Sequence, residues 1–253
     1  MKVYTQILKK LEKEKLHFTL LDPDYDSAEK VAKMAEKAEK VGTDAIMVGG
    51  STGLSLEMVD KVVRQIKTRC SLPVILFPTN AGTLSPNADA IFFMSMLNSS
   101  DLRYVIGEQV KGAPLVKKLG IEPIPMAYLV VEPGMAAGRV GKARLIRRKV
   151  PVEASHFALA GEYLGMRFIY LEAGSGAPEP VPSEMIKITK KVVSVPLIVG
   201  GGIRTPEQAK IVAESGADIV VTGTVVEESG ASSSLLSEII RAVKGVNINI
   251  SKI

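Results

Sequence analysis

Glu172 is the residue of this chain with the strongest chemical claim. It sits in an apolar run, Phe168 to Ala173, where strand alternation sends Tyr170 and Glu172 to one face and Ile169, Leu171 and Ala173 to the other. A carboxylate among apolar side chains is costly unless it is paired or working, so a general base is expected here in preference to a structural ion-pair partner. Tyr170 on the same face would orient that carboxylate, orient the substrate or set its ring near positive charge. The run continues into glycine, Tyr170-Leu171-Glu172-Ala173-Gly174-Ser175-Gly176. Two similar segments follow, Gly200-Gly201-Gly202-Ile203-Arg204-Thr205 and Thr222-Gly223-Thr224. Glycine puts no Cβ in the way, so several backbone N–H groups can converge on one anion. Such turns after successive strands read as a phosphate-binding rim.

A second carboxylate lies far away in sequence, in Leu20-Leu21-Asp22-Pro23-Asp24-Tyr25-Asp26. Asp22 falls at a strand end, and Asp24 shares its side if the extended conformation persists. Carboxylates in such a place can hold Mg²⁺, which takes only a few protein ligands and completes its shell with water and substrate phosphates. The next strand ends Val48-Gly49-Gly50-Ser51-Thr52, and its Ser51 hydroxyl completes the expected metal pair with Asp22. Asp26 reads instead as part of a helix start. His17, His156 and Cys70 have no partner by spacing and are expected to be structural, solvated or inert.

Eight strand-like runs could carry these residues, at 17–25, 45–52, 73–78, 89–96, 122–131, 168–173, 196–200 and 218–222. Helical patterns at 27–41, 56–68, 101–119, 152–164, 183–193, 206–215 and 233–243 separate most of them. Ser27, and Thr205 followed by Pro206, mark helix starts, while Gly42, Gly120, Gly165 and Gly216 mark helix ends. Apolar strands alternating with helices imply a buried parallel sheet, and eight such units close into a (β/α)8 TIM barrel. The active site of such a barrel lies at the C-terminal strand ends, with phosphate after strands seven and eight. The third crossover is too short: ten residues between Pro78 and Asp89, including Gly82 and Pro86, cannot carry a helix. The third helix is therefore expected to be replaced by an extended or irregular segment, exposing an apolar groove for a ligand or another subunit.

The 253 residues fit a single barrel domain, 1–253, and a hydrophobic share of 46% supplies its core. No stretch is long and apolar enough to span a membrane, and the N-terminus lacks a secretory pattern. One cysteine excludes an internal disulfide and suits a reducing, cytoplasmic setting. A net charge of +5 favours anionic ligands, but 5% aromatics, no Trp and no recognisable motif argue against nucleic acid. The basic stretch from Arg139 to Lys149 has six cations in eleven positions. It reads either as a solvated face or as a collector for an anionic substrate or membrane surface.

As an ordered set, five segments resemble the geranylgeranylglyceryl phosphate synthase family, which includes the bacterial heptaprenylglyceryl phosphate synthases. They are Leu21-Asp22-Pro23-Asp24, Val48-Gly49-Gly50-Ser51, Tyr170 to Gly176, Val199 to Arg204 and Thr222-Gly223-Thr224, and the likeness runs through essentially the whole chain. The resemblance implies a Mg²⁺-dependent prenyltransferase that joins geranylgeranyl diphosphate to the 3-hydroxyl of sn-glycerol 1-phosphate, the first ether bond of archaeal membrane lipids. It places Mg²⁺ on Asp22 and Ser51. Glycerol phosphate would lie on Tyr170, Leu171, Glu172, Ala173, Gly174, Ser175, Gly176, Gly201, Gly202, Gly223 and Thr224. Glu172 would take the hydroxyl proton, and the prenyl tail would lie in the apolar groove. Apolar outer faces and the resemblance together suggest a homo-oligomer, a hexamer in preference to a dimer, while the basic stretch leaves room for transient membrane-surface contact without a transmembrane segment. The alternatives are a heptaprenyl donor, a phosphate-handling TIM-barrel isomerase, or a phosphate-metabolite binder without turnover.

Overall fold

The computed structural model describes residues 2–50, 53–228 and 233–247. Its eight parallel strands follow chain order and close into a barrel. They are β1 (Leu16–Leu21), β2 (Ala45–Val48), β3 (Val74–Leu76), β4 (Ala90–Met96), β5 (Glu122–Val130), β6 (Phe168–Glu172), β7 (Leu197–Gly200) and β8 (Ile219–Thr222). Helices α1 (Val3–Leu11), α2 (Ala28–Lys40), α3 (Leu56–Lys67), α4 (Glu108–Leu119), α5 (Met135–Val140), α6 (Pro151–Tyr163), α7 (Ser183–Val192), α8 (Pro206–Glu214), α9 (Thr224–Glu228) and α10 (Ser233–Lys244) surround or cap it. None of the helices among the described residues is long and apolar enough to cross a membrane.

Alternation along the strands builds two apolar layers. Phe18, Met47, Phe92, Met126, Phe168 and Ile198 fill the lumen. Ile46, Leu171, Val199 and Val220 turn outward to meet helix residues such as Val62 and Ile186. Helix α1, which carries lysines on one face, turns Val3 and Ile7 into the lumen cluster and so closes the N-terminal end of the barrel. Glu122 accepts the Val3 N–H at 2.6 Å and holds the start of that helix.

The third crossover contains only a 3₁₀ turn, Ala81–Thr83, as its length requires. The uncovered flank of β3 and β4 borders a groove whose far wall is α4. Glu108 ties the two sides by accepting the Ala81 N–H at 2.9 Å. The helix expected over 101–119 begins instead as a π-helical turn, Arg103–Gly107. Side chains compete for its carbonyls: Ser95 Oγ donates to Val105 O at 2.6 Å and Gln109 Nε2 to Tyr104 O at 3.3 Å, while Gln109 Nε2 also reaches Met94 O on β4. Occupied carbonyls of this kind open the regular α ladder.

Two expectations at the first strands need correction. β1 stops at Leu21 because the chain turns at once, with Tyr25 N donating to Asp22 O at 3.2 Å and Asp24 N to Asp22 Oδ1 at 2.9 Å. Asp24 is therefore exposed on a turn rather than aligned with Asp22 along a strand. β2 ends at Val48, and Ser51 and Thr52 lie outside the described residues. Thr205 forms a full capping box with Gln208 ahead of Pro206, whereas Ser27 stands at its helix start without a side-chain capping bond.

Candidate active site

The C-terminal strand ends carry a small polar pocket that opens beside the apolar groove. Its lining includes Ser175, Gly176, Gly201, Gly202, Gly223 and Thr224, the expected rim residues, together with Tyr170 and Glu172. Ser175 Oγ and Thr224 Oγ1 lie 3.0 Å apart, joining the turns after β6 and β8. Gly201 has φ +85°, and a β-carbon there would stand 2.4 Å from Glu172 Oε1. Glycine at that place is thus required both by backbone conformation and by the carboxylate packed against it.

Glu172 is 6% exposed. Its Oε1 accepts the Gly174 N–H at 2.6 Å, and its Oε2 accepts the Tyr128 hydroxyl at 3.2 Å. Burial pushes its carboxyl above the usual carboxylate range, while the Gly174 amide and the Tyr128 and Tyr170 hydroxyls pull the other way. Burial and the neighbouring carboxylate in turn push both tyrosine hydroxyls well above their ordinary value, so they remain donors. A buried carboxylate held by donors, with its proton affinity raised, suits proton abstraction near neutral pH.

The remaining rim assignments divide by geometry. Leu171 and Ala173 turn their side chains into the outer core, so they reach the site only through backbone. The Gly174 amide is taken by Glu172. Asp22 is half-buried, and burial raises its carboxyl. It packs so closely on the segment after β2 that a β-carbon on Gly50 would lie 2.3 Å from Oδ2. Ser51, its expected partner, is outside the described residues. His17 lies in β1 with its ring bonded to Thr43 Oγ1 at 3.0 Å and Thr222 Oγ1 at 2.9 Å, and desolvation lowers its pKa to about 3. It is a structural group, as is Cys70, whose thiol burial pushes up to about 12. His156 is exposed on α6.

Three contributors were not singled out from sequence. Tyr128, on β5, pairs in register with Tyr170 and reaches Glu172. Phe77 stacks edge-on to Tyr128, with ring centroids 5.4 Å apart, and lines the groove. Arg204 lines the polar pocket and donates to Gly176 O at 3.3 Å, stitching the turns after β6 and β7. Its place beside the triple glycine was the available signal. For Tyr128 the signal was its alternation position in the fifth strand.

The groove is mostly apolar, with Leu84, Ile91, Phe93, Tyr104, Gly112 and Val116 among its walls. Glu172, Leu20 and Ser175 line both the groove and the polar pocket.

The PcrB family model matches residues 9–245. This chain belongs to the PcrB family. It is 58% identical over 247 residues to the geranylgeranylglyceryl phosphate synthase of Thermococcus gammatolerans, covering 98% of each chain. It is 60% identical over 228 residues to the protein of the same name from Pyrococcus horikoshii, covering 90% of each. A crystal structure of (S)-3-O-geranylgeranylglyceryl phosphate synthase from Thermoplasma acidophilum, in complex with substrate sn-glycerol-1-phosphate, superimposes with a TM-score of 0.95 at 48% identity. The match covers 97% of this PcrB-family chain and all of the other.

Proposed function

We propose that this chain is a geranylgeranylglyceryl phosphate synthase, a prenyltransferase that joins geranylgeranyl diphosphate to the 3-hydroxyl of sn-glycerol 1-phosphate. One observation carries the reading: Glu172 lies in the shared wall between a glycine-rimmed polar pocket and an apolar groove. A base at that junction meets a hydroxyl from one side and an allylic carbon from the other. Full-length similarity to synthases of that name supports the same substrates.

In the proposed reaction the rim holds the glycerol phosphate and turns its 3-hydroxyl toward Glu172. The glycerol oxygen forms its bond to the first carbon of the prenyl chain as the bond from that carbon to diphosphate breaks. The hydroxyl proton passes to the Glu172 carboxylate, a contribution on the order of 10²–10⁴-fold. Tyr128 and Tyr170 keep the carboxylate oriented through their hydroxyls. The rings of Phe77 and Tyr128 line the groove beside Glu172, where their faces would attract the positive charge that develops on the allylic carbon.

Asp22 fits a Mg²⁺ role by its chemistry. Its carboxylate sits at the rim against a glycine that leaves room for it, and no group of three His, Cys, Asp or Glu among the described residues forms a ready metal cage. A single carboxylate suits an ion that keeps water and substrate phosphates in its shell. When bound there, with Ser51 as the second residue implied by resemblance, Mg²⁺ would neutralise the diphosphate and favour its departure.

The test is to mix the purified protein with sn-glycerol 1-phosphate, Mg²⁺ and a ladder of prenyl diphosphates, and to follow prenyl ether and released diphosphate. Ether formation fastest with the geranylgeranyl donor is expected. A preference for heptaprenyl would move the donor assignment, and absence of ether with every donor would overturn the reading.

A further inference from the structure

The basic stretch 139–149 and the start of the α4 region form one surface at the edge of the groove, and its exposed cations and apolar side chains take no part in the proposed reaction. Ser99 and Ala143 form a β-bridge, Ser100 N donates to Lys142 O at 2.9 Å, and Arg144 N donates to Asn98 O at 2.7 Å. The segment after β4 is thereby stitched to the basic stretch. Just beyond the stitch, Leu102, Ile106 and Val110 are 74%, 54% and 65% exposed. Their spacing of four places them in one stripe along the π turn and first turn of α4. Both sides of the stitch contribute to the groove: Tyr104 and Glu108 from the helical side, Val140 and Gly141 from the basic side.

The charge on this surface is not locally balanced. Asp101 pairs with Lys142 at 2.8 Å, and Glu108 with Arg103 at 2.8 Å and Lys111 at 3.2 Å. Glu179 pairs with Arg148 at 3.0 Å. Among the described residues, no acidic group lies within ion-pair distance of Arg139, Arg144, Arg147 or Lys149. An exposed apolar stripe next to unpaired cations is the composition of a surface that enters the headgroup region of an anionic bilayer. A second copy of the chain is the poorer occupant, because a self-complementary contact would bring one basic segment toward another.

We propose that this rim, with the Leu102–Ile106–Val110 stripe inserted and the Arg139–Lys149 stretch against the headgroups, docks on an anionic lipid surface and sets the groove next to the membrane. This rests on the prenyltransferase reading, in which the donor is a lipid diphosphate and the product a lipid. Docking would let the polyprenyl chain pass from bilayer to groove with little exposure to water. Neither the stripe nor Arg144 and Arg147 lines the groove or the polar pocket.

The experiment is co-sedimentation of the full chain with vesicles of phosphatidylcholine containing phosphatidylglycerol, against pure phosphatidylcholine vesicles, at low and high salt. Two double variants accompany it, Ile106→Glu with Val110→Glu and Arg144→Glu with Arg147→Glu. Light-scattering mass and turnover with detergent-solubilised donor are measured for all three proteins. Binding only to the anionic vesicles, weakened by salt and by about tenfold or more in each variant, is the expected result. Absence of binding by the parent chain, or equal binding by parent and both variants, overturns the proposal. A mass change in the Ile106→Glu/Val110→Glu protein with vesicle binding unaltered also overturns it and assigns the face to a second copy. Turnover in detergent should match the parent in both variants; a parent chain without turnover there would count against the prenyltransferase reading, while the vesicle result still judges docking.

Discussion

The Tyr128 hydroxyl donates to Glu172 Oε2 at 3.2 Å from the neighbouring strand, where β5 and β6 run parallel in register. The bond joins the apolar groove, which the Tyr128 ring lines, to the carboxylate proposed as base. It also opposes the effect of burial on that carboxylate.

Removing this donor should therefore raise the Glu172 pKa further. Only the ionised carboxylate can accept the glycerol proton, so kcat must fall as pH drops through that pKa. In the parent chain the acid limb should lie above the ordinary glutamate value of 4.5. Tyr128→Phe should move it upward, because a hydrogen bond that favours the ionised carboxylate is lost. Glu172→Gln should keep glycerol phosphate binding and lose on the order of 10²-fold or more in kcat. The pH profile of kcat measures both, and an unmoved limb in Tyr128→Phe would detach the tyrosine from the base.

Two rim glycines should respond differently to alanine. A β-carbon on Gly201 would strike Glu172 Oε1 at 2.4 Å, whereas one on Gly176 meets nothing within 4 Å despite its φ of +76°. Gly201→Ala should raise KM for glycerol phosphate and also lower kcat by about 10²-fold, because it displaces the base. Gly176→Ala should cost chiefly backbone strain, about 1–2 kcal/mol of stability. Steady-state kinetics and denaturant midpoints separate the two. Equal kcat losses would contradict the packing of Gly201 on Glu172.

Asp22→Asn removes the carboxylate charge at the expected metal position while keeping its shape. The half-saturating Mg²⁺ concentration should rise by at least about tenfold, as loss of a ligand charge requires. Glycerol phosphate binding by calorimetry in the absence of donor should be unchanged. An unaltered Mg²⁺ dependence would exclude Asp22 as a ligand.

His17 predicts a pH effect on stability rather than on rate. Its ring is neutral when folded, with a pKa of about 3 against 6.5 for the free side chain. Below 6.5 the unfolded chain binds a proton that the folded chain refuses, so the stabilisation present above 6.5 is lost as pH falls toward 3. The slope from this group approaches about 1.4 kcal/mol per pH unit. Between pH 6 and roughly 5, before most carboxylates titrate, His17→Gln should flatten the curve of denaturant midpoint against pH. An identical slope in the variant would mean that the ring is not the titrating group.

Much of the site is legible in the sequence alone. The glycine turns, the alternation that pairs Tyr170 with Glu172 and the short crossover before Asp89 are local features, set by residues a few positions apart. Backbone sterics and strand period act over that range. Asp24 shows where local reading fails, since Asp22 turns the chain back on its own carboxylate and ends the strand early.

The sequence by itself determined the order of strands, the missing third helix, the glycine rim and the face on which Glu172 stands. Only the tertiary structure decided what Glu172 touches. Tyr128 is 44 positions away and reaches it through the β5–β6 register. His17 and Thr222 are 205 positions apart and meet because β1 pairs with β8 when the barrel closes. The stripe at Leu102 gained its basic neighbours in the same way, through a bridge from Ser99 to Ala143. Turn geometry is stored in adjacent residues, whereas strand register follows from closing and packing the whole barrel, which no short segment contains.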